Sequence, residues 1–201
     1  LVALLADVWG VQVEHLRPLP SERDLNALVD DAYVVKVSHP AEPPATVEME
    51  VAAMAHVAAA DPDLPLPRTV ATLAGDAIHV TADETGRDCL VRLITVVPGE
   101  MLEGAPVTTD LAEQVGAVAA RTSLALQGFF HPAAGGRDLD WDVRRLPHVV
   151  RAATEAGVLD AERDPALAAL VDRVSGSLAA CLLLPSGVQH ADVTLTNVLA
   201  L

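Results

Sequence analysis

Gln189-His190-Ala191-Asp192-Val193-Thr194-Leu195-Thr196-Asn197-Val198-Leu199-Ala200 is the stretch around which this chain is organised. An apolar helical run, Leu178 to Leu184, leads to it and stops at Pro185-Ser186-Gly187. A polar loop follows, then a short apolar tail that reads as a strand. The loop gathers His190, Asp192 and Asn197, with the Asp and the Asn five residues apart. That set suits phosphoryl transfer: a carboxylate orients and takes the proton of an attacking hydroxyl, and a carboxamide oxygen further round the loop holds a magnesium ion on the phosphates.

Upstream, two further polar residues stand out against apolar surroundings. Lys36 is the only lysine among thirteen cationic residues, and it sits inside the strand-like run Tyr33-Val34-Val35-Lys36-Val37. A charge among valines is costly unless it is paired. A helix is expected over roughly Ala45 to Ala60, ended by Asp61-Pro62. On it Val47, Glu50, Met54 and Val57 share one face, whereas Glu48 falls nearly opposite. Glu50 is therefore the acid expected to face inward, with Lys36 as its partner. Around these residues the chain reads as a meander from residue 10 to 38. A first strand runs from Val11 towards Pro18 and Pro20, a second spans Asn26 to Val29, and a third spans Tyr33 to Val37, with Asp30-Asp31 as a tight turn. Val70 to Leu73, Ile78 to Thr81 and the long run Cys89 to Val97 complete the strands, the last ending at Pro98-Gly99.

The second half is helical. Asp110 and Glu113 have capping-box spacing, and Leu111, Val115, Val118, Thr122 and Leu126 form a stripe. Asp142 is placed to cap a helix running to Ala156, and a further helix, Pro165 to Leu184, carries Leu167, Leu170, Val171, Val174 and Leu178 as a core stripe.

His190-Ala191-Asp192-x-x-x-x-Asn197 resembles the H-G-D-x-x-x-x-N catalytic loop of aminoglycoside phosphotransferase-type kinases, with Ala191 where glycine is usual. Ser21-Glu22-Arg23-Asp24-x-Asn26 is similar to the S-E-R-D-x-N segment of the hydroxylysine-kinase-like branch of that family, although the turn contains no glycine. His131-Pro132-Ala133-Ala134 followed by Trp141-Asp142 resembles the same branch, and Pro98-Gly99 resembles its interlobe hinge.

The resemblance implies an α+β, bilobal, protein-kinase-like fold. Residues 1–97 would form a nucleotide-binding lobe, an antiparallel sheet with one helix, and 98–201 an incomplete helical lobe carrying the catalytic loop. It implies ATP (or GTP) and Mg2+ as cofactors. Lys36, oriented by Glu50, would hold the phosphates, with Ser21, Arg23 and Asn26 at the first turn. Adenine would lie against Thr95, Val96 and Val97. Asp192 would be the base, His190 its brace, and Asn197 a magnesium ligand. A second metal-binding acid is expected beyond residue 201, so the chain is expected to be a fragment, inactive by itself and possibly fused to a further catalytic domain in the complete protein. The acceptor would be a hydroxyl of a small amine-bearing molecule, a hydroxylysine-like amino alcohol or an aminoglycoside. The alternative is a non-catalytic nucleotide-binding or regulatory module of the same fold.

Composition narrows the partners. A formal net charge of −15 repels nucleic-acid phosphates and attracts cationic small molecules. Aromatics are only 2%, so Leu, Val and Ala must fill the core. No run approaches the ~20 apolar residues of a membrane span. Cys89 and Cys181 lie far apart, without metal-type spacing, and are expected to be reduced core residues of a cytoplasmic protein.

Overall fold

Alternating apolar and polar residues in the first half of the chain build a six-stranded antiparallel sheet. The computed structural model describes residues 1–104, 106–136, 139, 142–160, 164–181 and 183–200. The sheet comprises β1 (Leu16–Leu19), β2 (Leu25–Val29), β3 (Tyr33–Val37), β4 (Thr69–Val70), β5 (His79–Ala82) and β6 (Asp88–Thr95). Their order is β1-β2-β3-β6-β4, and β5 shares the outer edge of β6 with β4. The first strand begins later than the sequence suggests. Val11 and Val13 pack against the core from outside it. Pro18, which has no N–H to give, is accommodated because β1 lies at the sheet edge. Asp30 and Asp31 both take positive φ, 49° and 52°, as the tight hairpin between β2 and β3 requires.

The two faces of the sheet have different work. One carries Ala27, Val29, Val35, Val91 and Leu93, which close over Leu5 and Trp9 of the N-terminal helix α1 (Val2–Trp9). Burying each large aliphatic side chain here contributes about 1.5–3 kcal/mol. The Trp9 indole N–H donates to the Val70 carbonyl at 3.0 Å and so fixes α1 to β4. The other face carries Asn26, Lys36 and Arg92, which are matched across three adjacent strands. With a side-chain period of two, placing the valines in the core puts these polar residues on the opposite side together.

Helix α2 (Pro44–Ala60) begins with a proline, whose missing N–H costs nothing in a first turn. Glu48 is exposed, as its helical position predicts. Burial is wider than the expected stripe: Thr46, Met49 and Val51 are buried beside Val47 and Val57. The lower end of α2 meets α3 (Thr109–Ala125) in a second core of Val57, Leu64, Ala125 and Leu126. Arg121 adds a two-pronged ion pair to Asp61, Nε to Oδ2 at 2.9 Å and Nη2 to Oδ1 at 2.8 Å, whose hydrogen bonding holds the Asp61 carboxyl below its ordinary pKa. The cap of α3 is Thr108, whose Oγ1 accepts from the Leu111 N–H at 3.2 Å, not the Asp110–Glu113 box. Thr108 has the extended backbone that an N-cap needs, and Asp110 falls inside the first turn, where its charge favours the helix dipole.

Two short strands, β7 (Glu100–Met101) and β8 (Leu199–Ala200), pair antiparallel. The chain forms two compact units, residues 1–134 with 187–201, and residues 135–186. In the second unit Asp142 does act as a cap, accepting the Arg144 N–H at 2.9 Å. It caps a 3-10 turn, Val143–Arg145, and α4 (Leu146–Glu155) follows with Pro147 in its first turn. Trp141 and Arg137 lie outside the described residues. The stripe on α5 (Pro165–Cys181) is not a core stripe here: no described residue of that helix is buried, and Leu170 is exposed. Cys89 is buried and Cys181 exposed, both as free thiols, so the core assignment holds for Cys89 alone. Burial raises the Cys89 thiol pKa. No helix among the described residues is long and apolar enough to cross a membrane.

Candidate active site

The loop that holds His190, Asp192 and Asn197 is anchored at both ends. Val188, two residues before His190, packs into the core between α2 and α3. On the far side the chain enters β8, and the Leu102 N–H donates to the Val198 carbonyl at 3.1 Å. Between these anchors the Asn197 N–H donates to the Thr194 carbonyl at 2.9 Å and closes the turn. The Asn197 side chain reaches back. Its Nδ2 donates to Asp192 Oδ2 at 2.7 Å and to the Asp192 carbonyl at 3.2 Å. The Asp192 N–H approaches His190 Nδ1 at 3.4 Å. The three residues chosen from spacing thus form one cluster, and it is exposed.

This geometry divides the chemistry. With Nδ2 committed to Asp192, the Asn197 Oδ1 is left as an oxygen donor of the kind a hard divalent cation takes. Asp192 Oδ1 is left to accept a proton. Among the described residues no group of three His, Cys, Asp or Glu could hold a metal alone. The donor set therefore fits a magnesium ion shared with nucleotide phosphates, since that ion is commonly held by few protein oxygens.

Ala191 has φ 60°, in the left-handed region. An L-residue with a Cβ is disfavoured there by about 1–2 kcal/mol. Ala191→Gly is expected to raise stability by about 1 kcal/mol, less what glycine loses in unfolded-chain entropy. Urea unfolding of the full-length protein checks this; a loss of stability would show that the strain is absent.

Glu50 faces the sheet, but its partner is not Lys36. Arg92 Nη2 on β6 donates to Glu50 Oε2 at 2.5 Å. Arg92 is the cross-strand neighbour of Lys36, so both cations approach the same turn of α2, and the longer guanidinium takes the carboxylate. Lys36 remains in the electrostatic field of Glu50 and Asp24. Its pKa is lowered, first by burial and then by the Arg92 charge, against the raising effect of the two acids. Arg92 was legible by the same logic that singles out Lys36: it is a lone charge in the apolar run Cys89 to Val97.

The remaining candidates are placed as follows. Ser21 and Arg23 are exposed in the turn between β1 and β2. Asn26 lies opposite Lys36, and its buried Oδ1 has no hydrogen-bond partner among the described residues. At the end of β6 the Thr95 N–H donates to the Arg68 carbonyl at 2.8 Å and the Val96 N–H to the Ala32 carbonyl at 2.9 Å. Among the described residues Val97 keeps the one unengaged N–H of the three. Next comes Gly99, with φ 133°; a Cβ there would stand 2.7 Å from the Ala200 carbonyl oxygen. The segment after β6 and the strand leaving the 189–197 loop touch at this glycine.

Residues 15–201 match the phosphotransferase enzyme family, and the chain belongs to it. The hydroxylysine kinase of Bos taurus is 25% identical over 162 residues, 72% of this chain and 43% of that protein. The chain thus spans less than half the length of this curated relative. Among solved structures, the microcompartment-associated aminopropanol kinase superposes with TM-score 0.63 at 23% identity, over 92% of this chain and 59% of that one. Spectinomycin phosphotransferase APH(9)-Ia, in complex with ADP and spectinomycin, superposes with TM-score 0.61 at 12% identity, over 99% and 64%. The kinase-like α+β fold expected from sequence is the fold of this chain.

Proposed function

We propose that the protein containing this chain transfers the terminal phosphoryl group of ATP or GTP to a hydroxyl of a small amine-bearing molecule. The observation that carries this reading is the Asp192–Asn197 hydrogen bond, in a loop whose exit strand pairs directly beyond Pro98-Gly99. In the proposed reaction the acceptor hydroxyl donates to Asp192 Oδ1. Its oxygen bonds to phosphorus as the bond to the leaving diphosphate breaks, and its proton passes to the carboxylate. Asn197 keeps Asp192 oriented, and His190 braces the loop through the Asp192 N–H. The Lys36 ammonium holds the nucleotide phosphates, with Glu50 and Asn26 in its charged row. Ser21 and Arg23 lie at the turn above, and the base stacks by Thr95, Val96 and Val97, with the Val97 N–H as donor. Magnesium, when bound at Asn197 Oδ1 and the phosphates, would neutralise their charge. Within the unit of residues 1–134 and 187–201, the sheet of residues 1–97 would form one side of the nucleotide cleft and the loop at 189–197 the other.

Acceleration in such a site comes chiefly from positioning and fixed charge. The acceptor class follows from chemistry on both sides. A surface of charge −15 favours an amine, and hydroxylysine and aminopropanol, named in the relatives, are amino alcohols. Nucleotide consumption by the full-length protein, screened against hydroxylysine, ethanolamine, choline and aminoglycosides, tests the reading; no turnover with any amino alcohol or aminoglycoside would refute it. Lys36→Met is expected to weaken nucleotide binding by about a hundredfold, from loss of a partly buried charge pair. Titration with a fluorescent ADP analogue measures this.

A further inference from the structure

We propose that Asp24 is a positioning residue for phosphate binding. One of its carboxylate oxygens hangs the turn at residues 20–24 from the end of β3, and its charge, together with that of Glu50, keeps the Lys36 ammonium in place on the sheet face. The inference rests on the reading of Lys36 as the phosphate ligand.

The turn between β1 and β2 contains no glycine, so its backbone has less freedom to close over a phosphate. It needs another hold, and Asp24 supplies one. Its Oδ1 accepts the His39 N–H at 3.0 Å, from just beyond the end of β3. That anchor point is itself fixed. The neighbouring Ser38 is buried and bonds Leu90 of β6 twice: the Ser38 N–H donates to the Leu90 carbonyl at 2.9 Å, and Ser38 Oγ accepts the Leu90 N–H at 3.0 Å. Through Asp24 the turn is therefore tied to the strand that carries Lys36, and through Ser38 to β6.

The second role is electrostatic. The charged groups acting on Lys36 are Arg92 from β6, Glu50 from α2 and Asp24 from the turn. Burial, and then the Arg92 charge directly across the register, work against the ammonium, while Glu50 and Asp24 support it. Glu50 is also the acid of the Arg92 ion pair, at 2.5 Å, so two cations share it. Asp24 is the second acid, and it balances the second cation. Asn26 fits the same arrangement. Its buried Oδ1 lacks a donor, and the donor across the register is the Lys36 ammonium. An ammonium has three N–H groups, enough to meet Asn26 and a carboxylate and still keep one for phosphate.

Binding of the fluorescent ADP analogue by the full-length protein, followed from about pH 6.5 to about pH 10, separates the two roles. A lysine that loses a supporting acid gives up its proton, and with it its hold on phosphate, at lower pH. In Asp24→Asn the carboxamide oxygen still accepts the His39 N–H, and only the charge is gone. This variant is expected to bind within about threefold of native at the acidic end. It is expected to lose affinity earlier as pH rises, falling about tenfold behind native on the alkaline limb. In Asp24→Ala the His39 N–H loses its acceptor as well, and affinity is expected to fall by about tenfold across the whole range. An Asp24→Asn curve parallel to the native one overturns the proposal, as does Asp24→Ala binding no more weakly than Asp24→Asn at the acidic end. If Asp24→Ala does not fold, the Asp24→Asn curve decides alone. Native binding in Lys36→Met would refute the phosphate reading itself. Loss of binding there, with an unmoved limb in Asp24→Asn, would refute this inference only.

Discussion

Asp192→Asn in the full-length protein is expected to lower turnover by about a thousandfold, the scale of losing a general base, with nucleotide affinity nearly unchanged. The substitution is well suited to the site. An asparagine oxygen at position 192 can still accept from Asn197 Nδ2, which now bonds Oδ2 at 2.7 Å. The backbone bonds of the loop, Asn197 N–H to Thr194 O among them, do not involve the carboxylate. What is lost is the charge and the capacity to take a proton. Single-turnover kinetics separate the chemical step from product release. Turnover within tenfold of native would remove Asp192 from the role of base.

Gly99→Ala carries the second large effect, and it acts through the backbone. At φ 133° glycine occupies a region that L-residues almost never enter, a strain of about 1–3 kcal/mol for any side chain. The added carbon would also lie 2.7 Å from Ala200 O and 3.1 Å from both Ala200 C and Leu199 Cβ. These are mainly backbone atoms of β8, so no side-chain rotation relieves the clash. Either the segment at 99 or β8 must shift, and β8 begins two residues after Asn197. A stability loss of about 3 kcal/mol is expected. Displacing the loop by about 1 Å is expected to lower kcat/KM by about a hundredfold. Urea unfolding and steady-state kinetics read the two effects separately. A Gly99→Ala protein with native unfolding and native rate would show that β7 and β8 do not need this close approach.

The sheet and helix α2 were legible because burial imposes simple periods. The valines of β3 and β6 define one face, and the same count leaves Lys36 and Arg92 on the other. Glu50 was legible as an inward acid for the same reason. Its partner was not, since a helical stripe says which way a side chain faces but not which of two adjacent cations it meets. The loop residues were legible from spacing, and the bond between Asp192 and Asn197 follows from the turn between them. The Thr108 cap went unread because Asp110 and Glu113 offered a competing pattern two residues along. Periodicity also overstated α5, where apolar spacing marks a helix face without showing that anything in its own unit covers it fully.

Holding a single, sheltered ammonium has a practical side. An amine that burial makes easier to deprotonate is also a better nucleophile near neutral pH. Acyl-phosphate derivatives of nucleotides deliver an electrophile to whatever amine lies beside their phosphates. Within residues 1–201 only one side chain could form the resulting amide, so a tryptic map of the labelled protein would locate the phosphate seat without a crystal.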